Sequence, residues 1–185
     1  MGWWPASLPC LHCSVMILAV DVSYRADQAV AAGVLFNAWD DCEPSTVLLA
    51  RLAEVGAYEP GQFYKRELPC VLALVEQLER LPEYIVIDGY VYLGSEQRPG
   101  LGKHVYDALE QQSAVIGVAK TRFRGTSVAA EVFRGGSQRP LYVTAVGIGA
   151  AEAKGFIAGM CGTHRIPALL RLVDQLSKRP EKASR

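Results

Sequence analysis

The stretch Met16–Ser23 reads MILAVDVS, a run of apolar residues that closes on the acid Asp21. So apolar a run predicts a buried strand with a carboxylate at its end. Two further strands are predicted at Ala29–Trp39 (AVAAGVLFNAW) and Thr46–Val55 (TVLLARLAEV), joined by the turn-rich NAWDDCEPS. Short links between three strands imply an antiparallel meander. Beyond a loop at Gly56–Tyr64, the apolar residues Leu68, Val71, Leu72, Val75, Leu78 and Leu81 recur every three to four positions and predict an amphipathic helix. The pattern of the first stretch then returns: Tyr84–Asp88 (YIVID) is a second apolar strand closing on an acid.

After a Gly-rich loop, Leu101, Val105 and Leu109 share one helix face, and Ala114–Lys120 (AVIGVAK) predicts another buried strand. Later strands are expected at Val128–Phe133 and Leu141–Val146, and closing helices at Ala150–Met160 and Pro167–Lys178. The order βββ, α, β, α, β with a mixed tail places the chain in the α/β class. A mixed β-sheet with flanking helices is expected, in the ribonuclease-H-like order. With 185 residues, half of them hydrophobic, the chain can bury one sizeable core. The expected organisation is an N-terminal extension over 1–15, one domain over 16–178 and a basic tail over 179–185.

Nineteen Lys+Arg balance nineteen Asp+Glu, so the overall basic excess of non-specific nucleic-acid binders is missing. A nucleic-acid role must rest on local charge. The apolar content excludes a disordered chain. No run reaches the eighteen or so apolar residues of a membrane helix, and no membrane partner is expected. Five cysteines, at positions 10, 13, 42, 70 and 161, do not make a disulfide framework for a domain of this size, and a reducing cytoplasm is expected. Cys10 and Cys13 form a CxxC, but a zinc site needs a second pair and none follows.

Asp21 and Asp88 each end an apolar strand, and in an open α/β sheet such ends mark the usual site edge. Were the two strands parallel neighbours, both carboxylates would leave one edge within reach of a shared divalent cation, which such clustered acids need. Glu67 stands at the predicted helix start, where the helix dipole favours a carboxylate. Each acid alone has a plainer reading as a strand-end or capping residue. Lys120 ends an apolar strand, a costly place for a charge unless an acid or phosphate pairs with it.

The segment Ala57–Glu67, AYEPGQFYKRE, resembles the endonuclease V signature PYIPGFLSFRE without a gap, sharing Tyr58, Pro60, Gly61, Arg66 and Glu67. DVSY at Asp21–Tyr24 is similar to the family's first acidic strand, IDG at Ile87–Gly89 to its second, and IGVAK at Ile116–Lys120 to its lysine strand. HRIPALLRLVD at His164–Asp174 resembles the family's YRLPEPTRLAD. The landmarks run from about Met16 to about Lys178, in the family's order.

The resemblance implies an endonuclease acting on DNA or RNA that contains the deaminated base inosine, cutting on its 3′ side with Mg²⁺ or Mn²⁺, in nucleic-acid repair or processing. Asp21, Glu67 and Asp88 would hold the metal, with Lys120 and Asp174 completing the catalytic set. Asp174 has a plainer alternative, a helical ion pair with Arg171. Tyr58, Pro60 and Gly61 would form a wedge beside a flipped base, and Gly89 and His104 would contact the substrate. A monomer is expected.

The chain departs from the family after IDG, where YVYLGSEQRPGLGKHV stands for a stretch that carries His-Pro-Arg. Glu59 and Gln62 replace apolar wedge residues. Two other readings remain open at this point: a nucleic-acid-binding homologue that does not cut, and a ribonuclease-H-like nuclease with another substrate. The retained acids and lysine weigh against the first, and the AYEPGQF wedge against the second.

Overall fold

The computed structural model describes residues 15–25, 28–53, 62 and 64–179. Strands β1 (Ile17–Arg25), β2 (Gln28–Phe36) and β3 (Thr46–Leu52) form the expected antiparallel meander. Helix α1 (Tyr64–Val75) leads to β4 (Tyr84–Asp88), a small hairpin of β5 (Tyr92–Leu93) and β6 (Arg98–Pro99), α2 (Leu101–Ala108) and β7 (Ala114–Ala119). The chain ends with β8 (Glu131–Val132), β9 (Leu141–Val146), α3 (Ala150–Gly159) and α4 (Ala168–Ser177). The main sheet has seven strands in the order β3-β2-β1-β4-β7-β9-β8. The neighbours β1, β4 and β7 are parallel, and the outer pairings are antiparallel. This is the mixed, ribonuclease-H-like sheet with flanking helices that the order of elements implied.

Each face of the sheet carries its own core. On one, Ile17, Ala19, Val86 and Ile116 pack with Ile157 of α3 and Leu169 and Val173 of α4. On the other, Leu18, Val20, Ile85 and Val115 pack with Val71 and Leu74 of α1 and Val105 of α2. The central strands are therefore apolar on both sides, which is why they read as continuous runs. Side chains such as Ile17, Leu74 and Ile116 are fully buried, each worth about 2 kcal/mol of transfer free energy.

Several boundaries differ from the expectation. Strand β1 does not close on Asp21 but runs on to Arg25, because its pairing with β2 continues past Asp21, opposite Ala32, while its pairing with β4 stops at Val20. The helix ends at Val75, and the apolar spacing continues past it at Leu78 and Leu81 because both still pack on the same core from the residues that follow. The strand β2 stops at Phe36, since the Asp41 carboxylate accepts from the backbone N–H groups of Asn37 and Ala38, at 2.9 Å each, and turns the chain. Trp39 folds back from that turn to stack on Phe156 at 4.5 Å between ring centroids. At Val128–Phe133 the expected strand shrinks to a 3-10 turn, Val128–Ala130, and the two residues of β8. The Ser127 hydroxyl accepts from Ala129 N–H at 3.1 Å and holds that turn.

Two cysteines do not remain reduced. Cys42, in the β2–β3 turn, and Cys161, just after α3, form a disulfide across a sequence separation of 119, while Cys70 is a free, buried thiol. Spacing along the chain gave no sign of this pair, which only the packing of α3 under the turn brings together. It runs against the expectation of a reducing compartment. Among the described residues, no helix is long and apolar enough to cross a membrane. The CxxC at Cys10 and Cys13 lies outside the described residues.

Candidate active site

The parallel register of β1 on β4 pairs Ile17 with Tyr84 and Val20 with Ile87, so one further step sets Asp21 beside Asp88. The register of β4 on β7 pairs Asp88 with Val118. Side chains alternate along a strand. Asp21 shares the face of Ile17 and Ala19, Asp88 that of Val86, and Lys120 follows Ile116 and Val118, all three on the side covered by α3 and α4. One oxygen from each of Asp21, Asp88 and Asp174 lies within 4.8 Å of the others. The carboxylates thus converge at one sheet edge.

Asp174 reaches this edge from α4, whose Leu169, Val173 and Ser177 face inward at successive turns. The Lys120 ammonium donates to Asp88 Oδ2 and Asp174 Oδ1, at 2.7 Å each, and Lys178 lies 2.8 Å from Asp174 Oδ1. Asp174 therefore pairs with these two lysines, and not with Arg171 one turn earlier. Glu67 approaches from the opposite side, buried in the first turn of α1. It shares with Asp21 and Asp88 a cleft of about 270 Å³. The three acids within 4.8 Å are thus Asp21, Asp88 and Asp174, whereas the expected trio had Glu67 in the place of Asp174.

Burial is costly for carboxylates that also repel one another. Desolvation, with the charges of Asp88 and Asp174 adding to it, raises the pKa of Asp21 to about 6 despite a hydrogen bond from Ser177. Desolvation followed by the charges of Asp21 and Asp88 raises Glu67 to about 8. Burial would lower the Lys120 pKa, but its hydrogen bonds to Asp174 and Asp88 outweigh this and raise it. The same contacts from Lys120 and Lys178 overcome burial at Asp174 and hold its pKa down. The edge thus carries a fixed cation and two acids that gain by a further positive charge.

The chain after β4 builds a wall next to this cleft. Gly89 has φ +148, and its N–H donates to the Val118 carbonyl at 3.3 Å. A Cβ there would meet no atom within 4 Å, so the backbone angle is what favours glycine, and the space beside it is open. Val91 N–H donates to Thr144 Oγ1 at 2.8 Å, and the Tyr90 hydroxyl donates to the Thr121 carbonyl at 2.9 Å. The Gly89–Val91 loop lies directly over Gly117, where a Cβ would come within 2.7 Å of the Gly89 carbonyl oxygen. Next to Asp88 and Glu67 a second cavity, of about 240 Å³, opens between Tyr64, Gly89, Tyr90 and Leu93. His104 stands on α2 and stacks on Tyr64 at 3.6 Å between centroids and 12° between planes, with burial lowering its pKa. Tyr58, Pro60 and Gly61 lie outside the described residues.

The sequence profile described as Endonuclease V matches residues 10–156. The chain belongs to the endonuclease V family. Members of this family are nucleases that hydrolyse phosphodiester bonds. It is 34% identical to endonuclease V of Streptomyces coelicolor over 141 residues, covering 73% of this chain and 57% of that protein. It is 25% identical to endonuclease V of Nostoc punctiforme over 182 residues, covering 87% and 81%. Among solved structures, endonuclease V of Streptomyces avermitilis aligns with a TM-score of 0.69 at 26% identity, covering 89% of this chain and 80% of that one. The fold also matches Ciona intestinalis endonuclease V, solved in complex with a 24mer DNA containing an inosine followed by a ribo-adenosine, with a TM-score of 0.71 at 18% identity, covering 91% and 86%.

The endonuclease V profile ends before Asp174, so that acid reaches the cluster through tertiary packing of α4, outside the matched stretch. Two further residues at this edge escaped the sequence reading. The Ser177 hydroxyl donates to Asp21 Oδ2, and Arg165 donates through Nη2 to the carbonyl of Lys120 and, at 2.7 Å, to that of Pro140. Ser177 stands three residues after Asp174, and helical spacing placed it on the same side.

Proposed function

We propose that this chain is a divalent-metal-dependent endonuclease that hydrolyses a phosphodiester bond on the 3′ side of inosine in DNA or RNA, acting as a monomer. The observation that carries this reading is the convergence of Asp21, Asp88 and Asp174 around Lys120 at one sheet edge, in a chain of this family. The donor set fits Mg²⁺ or Mn²⁺: hard carboxylate oxygens, close together, two of them on acids whose burial makes a nearby cation favourable. Asp21 and Asp88 would hold the ion, with Glu67 or Asp174 completing its shell. Bound there, such an ion supplies Lewis acidity at the scissile phosphate and lowers the pKa of a water.

The chain's own groups do the rest. Lys120 pairs with both Asp88 and Asp174 and offers an ammonium to a phosphate oxygen that displaces one of them. Glu67, whose pKa burial and the charges of Asp21 and Asp88 raise to about 8 in the metal-free protein, would carry a proton over the cleft when Asp174, and not Glu67, completes the shell. The cavity between Tyr64, Gly89, Tyr90 and Leu93 has an aromatic wall, open backbone at Gly89 and direct access to Asp88, as a base turned out of a strand requires. Gly89 and His104 would act there, His104 by holding Tyr64 in place, and Tyr58, Pro60 and Gly61 belong to the same proposal as the wedge.

End-labelled strands carrying one inosine, one uracil or no lesion, as DNA and as RNA, are incubated with the protein and Mg²⁺ or EDTA. Cutting confined to inosine strands, at one offset on the 3′ side and abolished by EDTA and by Asp88→Asn, is the expected result. Equal cutting of unmodified strands removes the inosine preference, and cutting that survives EDTA removes the metal.

A further inference from the structure

Ser177 is fully buried, and its hydroxyl donates to Oδ2 of Asp21 across a sequence separation of 156. The contact is returned from the other side, where Ser23, two residues along β1, donates its hydroxyl to the Ser177 carbonyl at 2.5 Å. That carbonyl ends α4, where helical carbonyls lack partners within the helix. Among the described residues, the other acceptor within reach of the Ser177 hydroxyl is the Asp174 carbonyl at 3.0 Å. One hydroxyl proton cannot serve both, and a carboxylate is the stronger acceptor. Two serines thus clamp the end of α4 onto β1, at the point where β1 runs past its last pair with β4 and carries Asp21.

We propose that Ser177 is a positioning residue of the metal centre, its hydroxyl fixing which oxygen Asp21 presents and, through α4, where Asp174 stands. The proposal rests on the reading that Asp21 and Asp88 hold a divalent cation. A carboxylate on a free side chain can rotate and offer either oxygen. With Oδ2 held by Ser177, Oδ1 is the oxygen that Asp21 has left to present to a cation. Asp174 lies three residues back on the same helix, so the clamp that seats Ser177 also sets the distance of Asp174 from Asp88. Groups that orient ligands in this way typically change metal affinity by about 10–100-fold when removed.

The test is Mn²⁺ binding to the full chain, read from the free-ion electron paramagnetic resonance signal, beside the melting temperature of the metal-free protein. Ser177→Ala is expected to raise the Mn²⁺ Kd about tenfold, and Ser177→Thr, which keeps the hydroxyl, to stay within about twofold of wild type. Ser23→Ala, which frees the other half of the clamp, is expected to raise it about threefold. A serine that only supports the fold would lower the melting temperature and leave the Kd alone, so an unchanged Kd in Ser177→Ala overturns the proposal. Should that variant fail to fold, an unchanged Kd in Ser23→Ala does the same. Wild type that binds no Mn²⁺ removes the metal centre itself and the clamp's role with it, whereas wild-type binding that Ser177→Ala leaves intact removes the clamp's role alone.

Discussion

Lys120 and Asp174, 54 residues apart in sequence, meet at 2.7 Å, and the same ammonium reaches Asp88 at 2.7 Å. One strand end and one helix are thereby joined to a second strand end through a single positive charge. With Lys120 only about a third exposed, this is more than a surface pair. Lys120→Met is expected to lower cleavage of an inosine strand by about 100-fold or more, as loss of a preorganised charge at a reacting phosphate does. Single-turnover cleavage at saturating Mg²⁺ measures it, and a loss under threefold would take Lys120 out of the site.

Glu67 gives the metal-free protein a distinct pH dependence. Its pKa rises from 4.5 to about 8 on folding, through burial first and then the charges of Asp21 and Asp88. The folded state therefore binds this proton more tightly than the unfolded chain. The resulting stability is complete below about pH 4.5 and is lost as pH rises through about 8. Asp21, raised from 3.8 to about 6, acts in the same sense at lower pH. In EDTA the protein should melt at a lower temperature at pH 8.5 than at pH 5.5, Glu67→Gln should flatten the difference, and Mg²⁺ should restore stability at pH 8.5. Equal melting of wild type at the two pH values would contradict the burial of Glu67.

Gly117 lies under the loop that forms the cavity wall. A Cβ at this position would approach the Gly89 carbonyl oxygen to 2.7 Å, Val91 N to 2.8 Å and Thr144 Oγ1 to 2.9 Å. Two of these are backbone atoms and cannot swing aside. Gly117→Ala is expected to cost about 1–3 kcal/mol in urea unfolding and to reduce cleavage more than that loss of stability accounts for, since the loop bearing Gly89 must lift. Wild-type cleavage in this variant would show that the wall does not matter for activity.

The disulfide between Cys42 and Cys161 closes a long loop, across 119 residues of sequence, and so restricts the unfolded chain strongly. Replacing both cysteines by alanine should lower stability by about 2–4 kcal/mol, read as a shift of the urea midpoint. Dithiothreitol should move the wild-type midpoint in the same direction and leave the double variant where it is. A midpoint insensitive to both would mean that the bond adds nothing to folding.

The acids Asp21 and Asp88 and the lysine Lys120 were legible in the residues themselves. Runs such as ILAVD and YIVID can only be buried, and a carboxylate that closes one marks where the burial stops: at the end of β4 for Asp88, and within β1, just past its last pair with β4, for Asp21. The order of helices and strands followed from the change between apolar periods. The exact ends of α1 and β2 did not, because Leu78 and Leu81 keep the helical spacing while packing from a turn, and the side chain of Asp41 decides where β2 stops.

The sequence by itself thus determined the class of the fold, the acid at the end of β4 and the lysine just past β7, and it marked Asp21 as the acid of β1, though not as a residue inside that strand. Only the tertiary structure decided how these act together. Strands buried on both faces show no alternation, so the face to which Asp21, Asp88 and Lys120 point could not be read from the runs. Asp174 and Ser177 join Asp21 because α4 packs across β1 from the far end of the chain, and Cys42 meets Cys161 because α3 packs near the β2–β3 turn. Local propensities set each helix and strand, but which groups meet across more than a hundred residues depends on the packing of the whole core.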